Sequence, residues 1–120
     1  MVTKVNLAQK LSSFTDQWSP KIIGTVNDTD VKVAKVKGEF VWHAHENEDE
    51  LFYVVKGQLI IQLRDGQVVL NPGEFVVIPR GVEHRPVAKD EVELLLIEKG
   101  TIDHTGGVDD PRRVAVYEKI

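Results

Sequence analysis

Two histidines separated by a single residue are the first feature of this sequence that points to chemistry. His43 and His45 flank Ala44 in a stretch predicted to be extended, and alternate residues of a strand face the same side. Their rings are therefore expected about 6–7 Å apart along the chain, where both can reach one ion. Glu50 opens the next predicted strand, and an antiparallel return would bring it beside the two histidines. His84 is distant in sequence and would join them only in a closed β fold.

The ligand types narrow the choice of ion. The chain contains no cysteine, so any metal must be bound by nitrogen and oxygen. Neutral imidazole and carboxylate suit Zn, Fe, Mn, Ni, Co and Cu. Three imidazoles and one carboxylate would leave a divalent ion with a net charge of about +1, which attracts water or anions. Octahedral coordination would leave two positions open for substrate, water or dioxygen.

Short β-strands are the elements expected to position these side chains. After Ser19-Pro20, segments rich in Val, Ile, Leu and aromatic residues alternate with turn residues, which predicts an all-β fold. Asp65-Gly66 predicts a tight hairpin with a type I′ turn. The nine predicted strands are Lys21–Val26, Val31–Val36, Phe40–His45, Glu50–Val55, Gln58–Arg64, Val68–Leu70, Phe75–Pro79, His84–Val87 and Val92–Lys99.

The two ends of the chain differ from this β pattern. Apolar spacing between Val5 and Phe14 predicts a short N-terminal helix, with Asn6 or Thr3 as its cap. Residues 114–117 are compatible with either a last strand or a helix. Many short strands without intervening helices must avoid exposed edges, and a jelly roll achieves this. With 120 residues and no linker composition, the sequence predicts one domain spanning residues 1–120.

Composition argues against two classes of partner. The formal net charge is −4, and no cluster of Lys and Arg stands out to attract nucleic acid or an anionic membrane surface. The N-terminus has no apolar signal core, and no run approaches the roughly 20 apolar residues that span a bilayer. A cytoplasmic location is therefore expected.

Two longer stretches resemble the paired motifs of the cupin superfamily. Within residues 38–57, Gly38, His43, His45, Glu50 and Gly57 are similar to the first motif. Within residues 73–88, the second motif is matched by Gly73, Pro79-Arg80-Gly81 and His84. Two departures are a four-residue gap from Gly38 to His43, where five is usual, and Ala88 in place of a frequent asparagine. Neither affects a ligand position.

The resemblance implies a small metal-binding cupin. Its fold would be a double-stranded β-helix, a jelly-roll barrel that commonly forms a homodimer. The implied metal ligands are His43, His45, Glu50 and His84, and the implied cofactor is one divalent transition metal ion such as Zn, Fe, Mn or Ni.

Two functions remain open from the sequence. The first is a small metal-dependent enzyme acting on a small polar or anionic organic substrate, with oxygenase, isomerase or lyase chemistry. Glu83 and Tyr53 are candidate acids or bases only by their proximity to the motifs. The alternative is a small-molecule binding or sensing cupin without turnover. Small cupins are often described as similar to mannose-6-phosphate isomerase, but that likeness concerns the fold alone.

The sequence also suggests, less strongly, where several residues near the implied metal ligands lie. Glu48 shares the strand face of Glu50 but is the less favoured carboxylate. His104 is expected in a polar surface loop, and the alternative is that it reaches the mouth of the barrel. Trp42 should point away from the metal, into a second apolar layer or a dimer contact. The residues expected to line a cavity beside the metal are Phe52 and Val54, with Ile78 or Arg85, the last as an anion contact.

Overall fold

The computed structural model describes residues 2–120. Over this range the chain forms one short helix and eight strands. The elements are α1 (Leu7–Leu11), β1 (Lys21–Val26), β2 (Thr29–Glu39), β3 (Glu50–Lys56), β4 (Leu59–Leu63), β5 (Gly66–Leu70), β6 (Phe75–Ile78), β7 (His84–Lys99) and β8 (Glu118–Lys119). The predicted all-β jelly roll with a short N-terminal helix is confirmed, although the strands do not close into a continuous hydrogen-bonded barrel.

The long strand β7 organises the sheet. One edge pairs with β2 over most of its length, from Thr29↔Lys99 to Glu39↔Val87. Its other edge is shared, because β4 pairs with the first part of β7 and β3 pairs with the last part. The sequence predicted two strands separated at residues 89–91, and that division is wrong. The chain stays extended there. The pairing of β2 with β7 is instead interrupted on β2, by a register shift between Val36 and Gly38.

The predicted strand Phe40–His45 is also wrong. This segment is irregular, and its β character is limited to one isolated bridge between His43 and His84. The two residues exchange backbone hydrogen bonds of 3.1 and 2.9 Å. The expected alternation of side chains between two faces is nevertheless present, because His43 and His45 are buried while Trp42 and Ala44 are only partly buried.

Local turn and cap predictions had mixed outcomes. The Oδ1 atom of Asn6 accepts a hydrogen bond from the Gln9 backbone at 3.0 Å, so the predicted N-cap is confirmed. The predicted hairpin between β4 and β5 is present, but its turn is not type I′. Leu63 pairs with Gly66, so Arg64 and Asp65 are the central residues, and neither has the positive φ that type I′ requires. Residues 114–117 form neither a strand nor a helix.

Inward-facing residues of six strands, β2 to β7, form the hydrophobic core. Val54, Leu59, Ile61 and Ala88 have no exposed surface. The pattern continues along β7, where Val92, Leu94 and Leu96 are buried at every second position. Beyond Leu96 the next inward residue is Glu98, and beyond Phe52 on β3 it is Glu50. The interior therefore changes from apolar to charged at one end, where the candidate site lies.

Candidate metal centre

The structure brings together the four side chains that the sequence singled out. His43 and His45 lie on the irregular segment between β2 and β3, whereas Glu50 and His84 are the first residues of β3 and β7. None is more than 5% exposed. One donor atom from each residue lies within 4.8 Å of the corresponding atoms of the others, so the group could hold a metal ion.

Hydrogen bonds to the backbone define how two of the imidazoles are protonated. The Nδ1 atoms of His43 and His84 lie 2.9 Å from the carbonyl oxygens of Val41 and Val82, respectively. A carbonyl oxygen can only accept, so each Nδ1 carries the proton and each Nε2 keeps a free lone pair. This is the arrangement that a metal ligand requires, because the second ring nitrogen is anchored.

Three donor atoms of the group are buried without a hydrogen-bond partner: His45 Nε2, Glu50 Oε1 and His84 Nε2. The carboxylate oxygen lies 3.3 Å from His45 Nε2 and 3.4 Å from His84 Nε2, in poor hydrogen-bond geometry. Burying polar atoms without partners costs free energy. A cation at the centre of the group would satisfy all three, so the donor set fits a metal ion.

The electrostatics favour the metal-binding protonation states. Burial, helped by the nearby His84, lowers the pKa of His43 to about 4, so this imidazole is neutral at pH 7. Burial alone would raise the pKa of Glu50, but the adjacent polar side chains of Glu98, His45 and His84 favour its charged form and hold the pKa well below its ordinary value. Glu50 is therefore anionic at neutral pH, the charge state in which a carboxylate can bind a metal ion.

A buried ion pair behind Glu50 was missed by the sequence reasoning. Glu98 lies directly across from Glu50 in the β3–β7 register. The Lys32 Nζ atom is 3.0 Å from Glu98 Oε1, and neither side chain has exposed surface. Nζ also lies 3.7 Å from the centroid of the Tyr117 ring, a cation–π contact. Burial and the charge of Glu50 raise the pKa of Glu98 well above its ordinary value, and Lys32 opposes this shift.

A sequence signal for this pair existed. Lys32 shares the inward parity of Ala34 and Val36 on β2, and a lysine at such a position needs a buried partner.

The expectation that His104 lies on the surface is wrong. Its side chain is 7% exposed, and its ring stacks on Phe40 with centroids 5.5 Å apart. The Tyr117 hydroxyl accepts a hydrogen bond from the His104 backbone at 2.8 Å and donates one to Ile102 at 3.1 Å. Burial lowers the pKa of His104. The C-terminal segment thus folds over the site.

A cavity of about 30 Å³ lies beside His43 and Glu50. Phe52 lines it as predicted, whereas Val54 and Ile78 lie in the core instead. The role proposed for Arg85 is wrong, because Arg85 follows the inward-facing His84 and so faces outward, donating to Gln62 at 2.9 Å. The complete wall consists of Trp18, Pro20, Ala34, Val36, Phe40, His43, Glu50, Phe52, Pro86, Leu94, Leu96 and His104.

The remaining candidates lie outside the group of four. Trp42 points away from it as predicted, with the Arg64 guanidinium 3.9 Å from the centroid of its ring. The Glu48 carboxylate accepts from Thr101, and Glu83 pairs with Arg64 at 3.0 Å. Tyr53 alternates with Phe52 on β3 and so faces the other side of the sheet.

The fold and the paired motifs place the chain in a known family. The Cupin domain family matches residues 30–98, which is more than half of the sequence, and the chain belongs to that family. It is similar to a cupin-2 domain protein of Shewanella frigidimarina, with 47% identity and a TM-score of 0.78. That comparison covers 79% of this chain and 93% of the other.

Two curated proteins are similar over a shorter stretch. The uncharacterized protein YdbB of Bacillus subtilis is 42% identical over 64 residues, covering 52% of this chain and 57% of YdbB. A protein of Saccharolobus solfataricus named "Putative dioxygenase SSO1533" is 29% identical over 63 residues. The match covers 52% of this chain and 16% of that protein, so the chain spans a small part of it.

Residues 2–120 contain no helix with the length and apolar character that crossing a bilayer requires.

Proposed function

We propose that His43, His45, Glu50 and His84 bind one divalent transition metal ion and that the chain is a metal-dependent enzyme of the oxygenase type. One observation carries the metal site: four buried donor residues converge, and three of their donor atoms have no other partner. A bound ion of this kind would supply Lewis acidity or, if redox-active, electron transfer to dioxygen. The donor set contains nitrogen and oxygen only, which suits iron.

The cavity wall favours oxygenase chemistry over isomerase or lyase chemistry. Isomerisation and elimination need an acid or base beside the substrate. Among the residues that line the described cavity, the ionisable groups are His43, Glu50 and His104. The first two are the proposed ligands, and burial lowers the pKa of His104, which weakens it as a base. The other sequence candidates, Glu83 and Tyr53, lie elsewhere. The name of the S. solfataricus relative supports the same choice.

Elemental analysis of protein purified without a histidine tag tests the metal site. Wild-type protein should contain one equivalent of a transition metal, and the double variant His45→Ala/His84→Ala should contain almost none. His104→Ala is the matched control, because it removes a buried histidine outside the group of four and should leave the metal content unchanged. Full metal retention in the double variant, with a folded circular dichroism spectrum, would rule out the assignment.

Oxygen consumption tests the reaction class. Iron(II)-loaded protein should consume dioxygen only when a substrate from a panel of small organic acids, ketones and phenols is added. Binding of panel members without any oxygen uptake would instead support the alternative, a binding or sensing protein.

The proposal includes a homodimer. Phe75 and Val77 on β6 are 60% and 45% exposed, although they lie on a sheet face. Their partners across the register, Tyr53 and Leu51 on β3, are only partly buried. In the described sheet β6 pairs with β3 alone, which leaves its other edge free. An apolar sheet face beside an unpaired edge is suited to contact with a second copy of the chain.

A further inference from the structure

The cavity beside the candidate metal centre has an apolar wall. Three aromatic rings, from Trp18, Phe40 and Phe52, face aliphatic side chains such as Val36 and Leu94. No lysine or arginine lies in the described wall. Its polar groups belong to His43, Glu50 and His104. A ligand that entered this space could form polar contacts at few positions and would bury the rest of its surface against carbon.

The aromatic part of the wall is firmly held. Trp18 has a φ of +58°, which is unusual for a residue other than glycine. Two hydrogen bonds keep it there: its backbone N–H donates to Lys35 at 2.8 Å, and its indole N–H donates to Lys37 at 2.9 Å. Its ring stacks on Phe40 with centroids 4.5 Å apart. Such a wall selects ligands by fit, because it is positioned before binding.

The cavity also lies on a defined side of the four ligands. Of the proposed ligands, only His43 and Glu50 line it. His45 instead lines a separate surface pocket together with Glu46, Glu48 and Asp103, which is polar and acidic. A molecule bound at an open metal position on the His43 and Glu50 side would therefore extend into the apolar space, away from the acidic pocket.

We infer that the site takes a small molecule with one oxygen donor group facing the metal and a compact apolar body of a few carbon atoms. This deepens the proposed function and rests on the metal site. A volume of about 30 Å³ is above the roughly 10–15 Å³ that holds one water molecule, so a compact body of a few heavy atoms fits without large movement of the wall. Sugar phosphates and polyols are excluded, because their hydroxyl and phosphate groups would be buried without partners. Among the small polar or anionic substrates expected from the sequence, this selects those with one oxygen donor group on a short apolar body.

Two carboxylic acids of equal size test this inference. Butyrate and 3-hydroxypropionate differ only by a methyl group in place of a terminal hydroxyl. Each is titrated into cobalt(II)-loaded protein, and binding is followed by the visible absorption of the metal. We expect butyrate to bind about 10- to 100-fold more tightly, the range in which an apolar pocket rejects an added hydroxyl. Inorganic phosphate and glucose 6-phosphate should cause no saturable change below millimolar concentrations.

Wall variants provide the control. Val36→Thr places a hydroxyl in the wall with little change of shape and should reduce the preference for butyrate several-fold. Val26→Thr is the matched substitution at a strand valine that is 62% exposed, and it should leave the preference unchanged. Ala34→Ser serves the same purpose if Val36→Thr does not fold. Stoichiometric cobalt with affinities for the two acids within twofold would overturn the apolar substrate class, whereas failure to bind cobalt would overturn the metal site itself.

Discussion

The buried Lys32–Glu98 pair links the candidate metal centre to the rest of the interior. Lys32 lowers the pKa of Glu98, so removing Lys32 leaves a buried carboxyl that is either protonated or charged without a partner. Breaking a buried pair in this way typically costs about 3–5 kcal/mol. We therefore expect Lys32→Met to destabilise the metal-free protein by an amount in this range. The double variant Lys32→Met/Glu98→Leu should recover most of the loss, because it buries no charge at either position. Urea denaturation measures both values.

Lys37→Met is the control for this pair, since Lys37 is exposed on the same strand. It should change the free energy of unfolding by less than about 0.5 kcal/mol. A double variant that is as unstable as Lys32→Met would show that the pair acts through packing and not through charge.

The titration of His43 predicts how the stability of the metal-free protein depends on pH. The pKa of His43 is about 4 in the folded chain, against an ordinary value of 6.5. The unfolded chain therefore takes up this proton first as the pH falls, and protonation favours unfolding. The contribution of neutral His43 to the free energy of unfolding is fully present above about pH 6.5 and is lost progressively towards pH 4. Between pH 7.5 and 5 the loss should be about 2 kcal/mol.

Denaturation of the wild type and His43→Gln across that range checks this prediction. The variant should lack this part of the pH dependence, and an identical slope in both proteins would contradict it.

At the scale of elements, the C-terminal segment packs against the residues that carry two of the ligands. Gly106 has a φ of +64°, and a Cβ placed there would overlap the Ala44 carbonyl oxygen and lie 3.2 Å from His43 Cβ. Gly106→Ala should therefore displace the segment that contains His43 and His45. We expect its metal affinity to fall about 10-fold, an effect typical of disturbed ligand support.

Gly107→Ala is a close control for this contact. Gly107 also has a positive φ, +82°, but no atom lies within 4 Å of its would-be Cβ. The two variants share the backbone penalty and differ in the overlap. Competition with a chelator measures the affinities, and equal values for both variants would mean that the C-terminal segment does not support the ligands.

At the scale of the whole molecule, the exposed face of β6 is the proposed dimer contact. Sedimentation analysis should give a dimer for the wild type and a monomer for Phe75→Glu, because a buried carboxylate without a partner opposes association. Val26→Glu changes a similarly exposed valine on the β1–β2 hairpin and should remain dimeric. A monomeric wild type would exclude the dimer, and a dimeric Phe75→Glu would exclude this face.

The β architecture, a helix cap at Asn6 or Thr3 and the four residues that converge were predictable from the sequence alone. These depend on short-range patterns: alternation on strands, turn residues between them, and ligand types at characteristic spacings. The predictions failed where a local sequence pattern is compatible with more than one backbone structure. The β4–β5 turn shifted by one residue, and β7 continued through residues that resemble a turn because β2 pairs with it on both sides of the irregularity.

Only the tertiary structure decided what surrounds the four residues. Lys32 meets Glu98 across 66 positions of sequence, and Gly106 meets Ala44 because the C-terminal segment folds back over the site. The same packing buries His104, turns Arg85 to the outer face and brings Trp18 and Phe40 into the cavity wall. Spacing along the chain specifies which side chains share a face, but which faces meet depends on contacts between distant segments, and those contacts set the chemistry that the site can select.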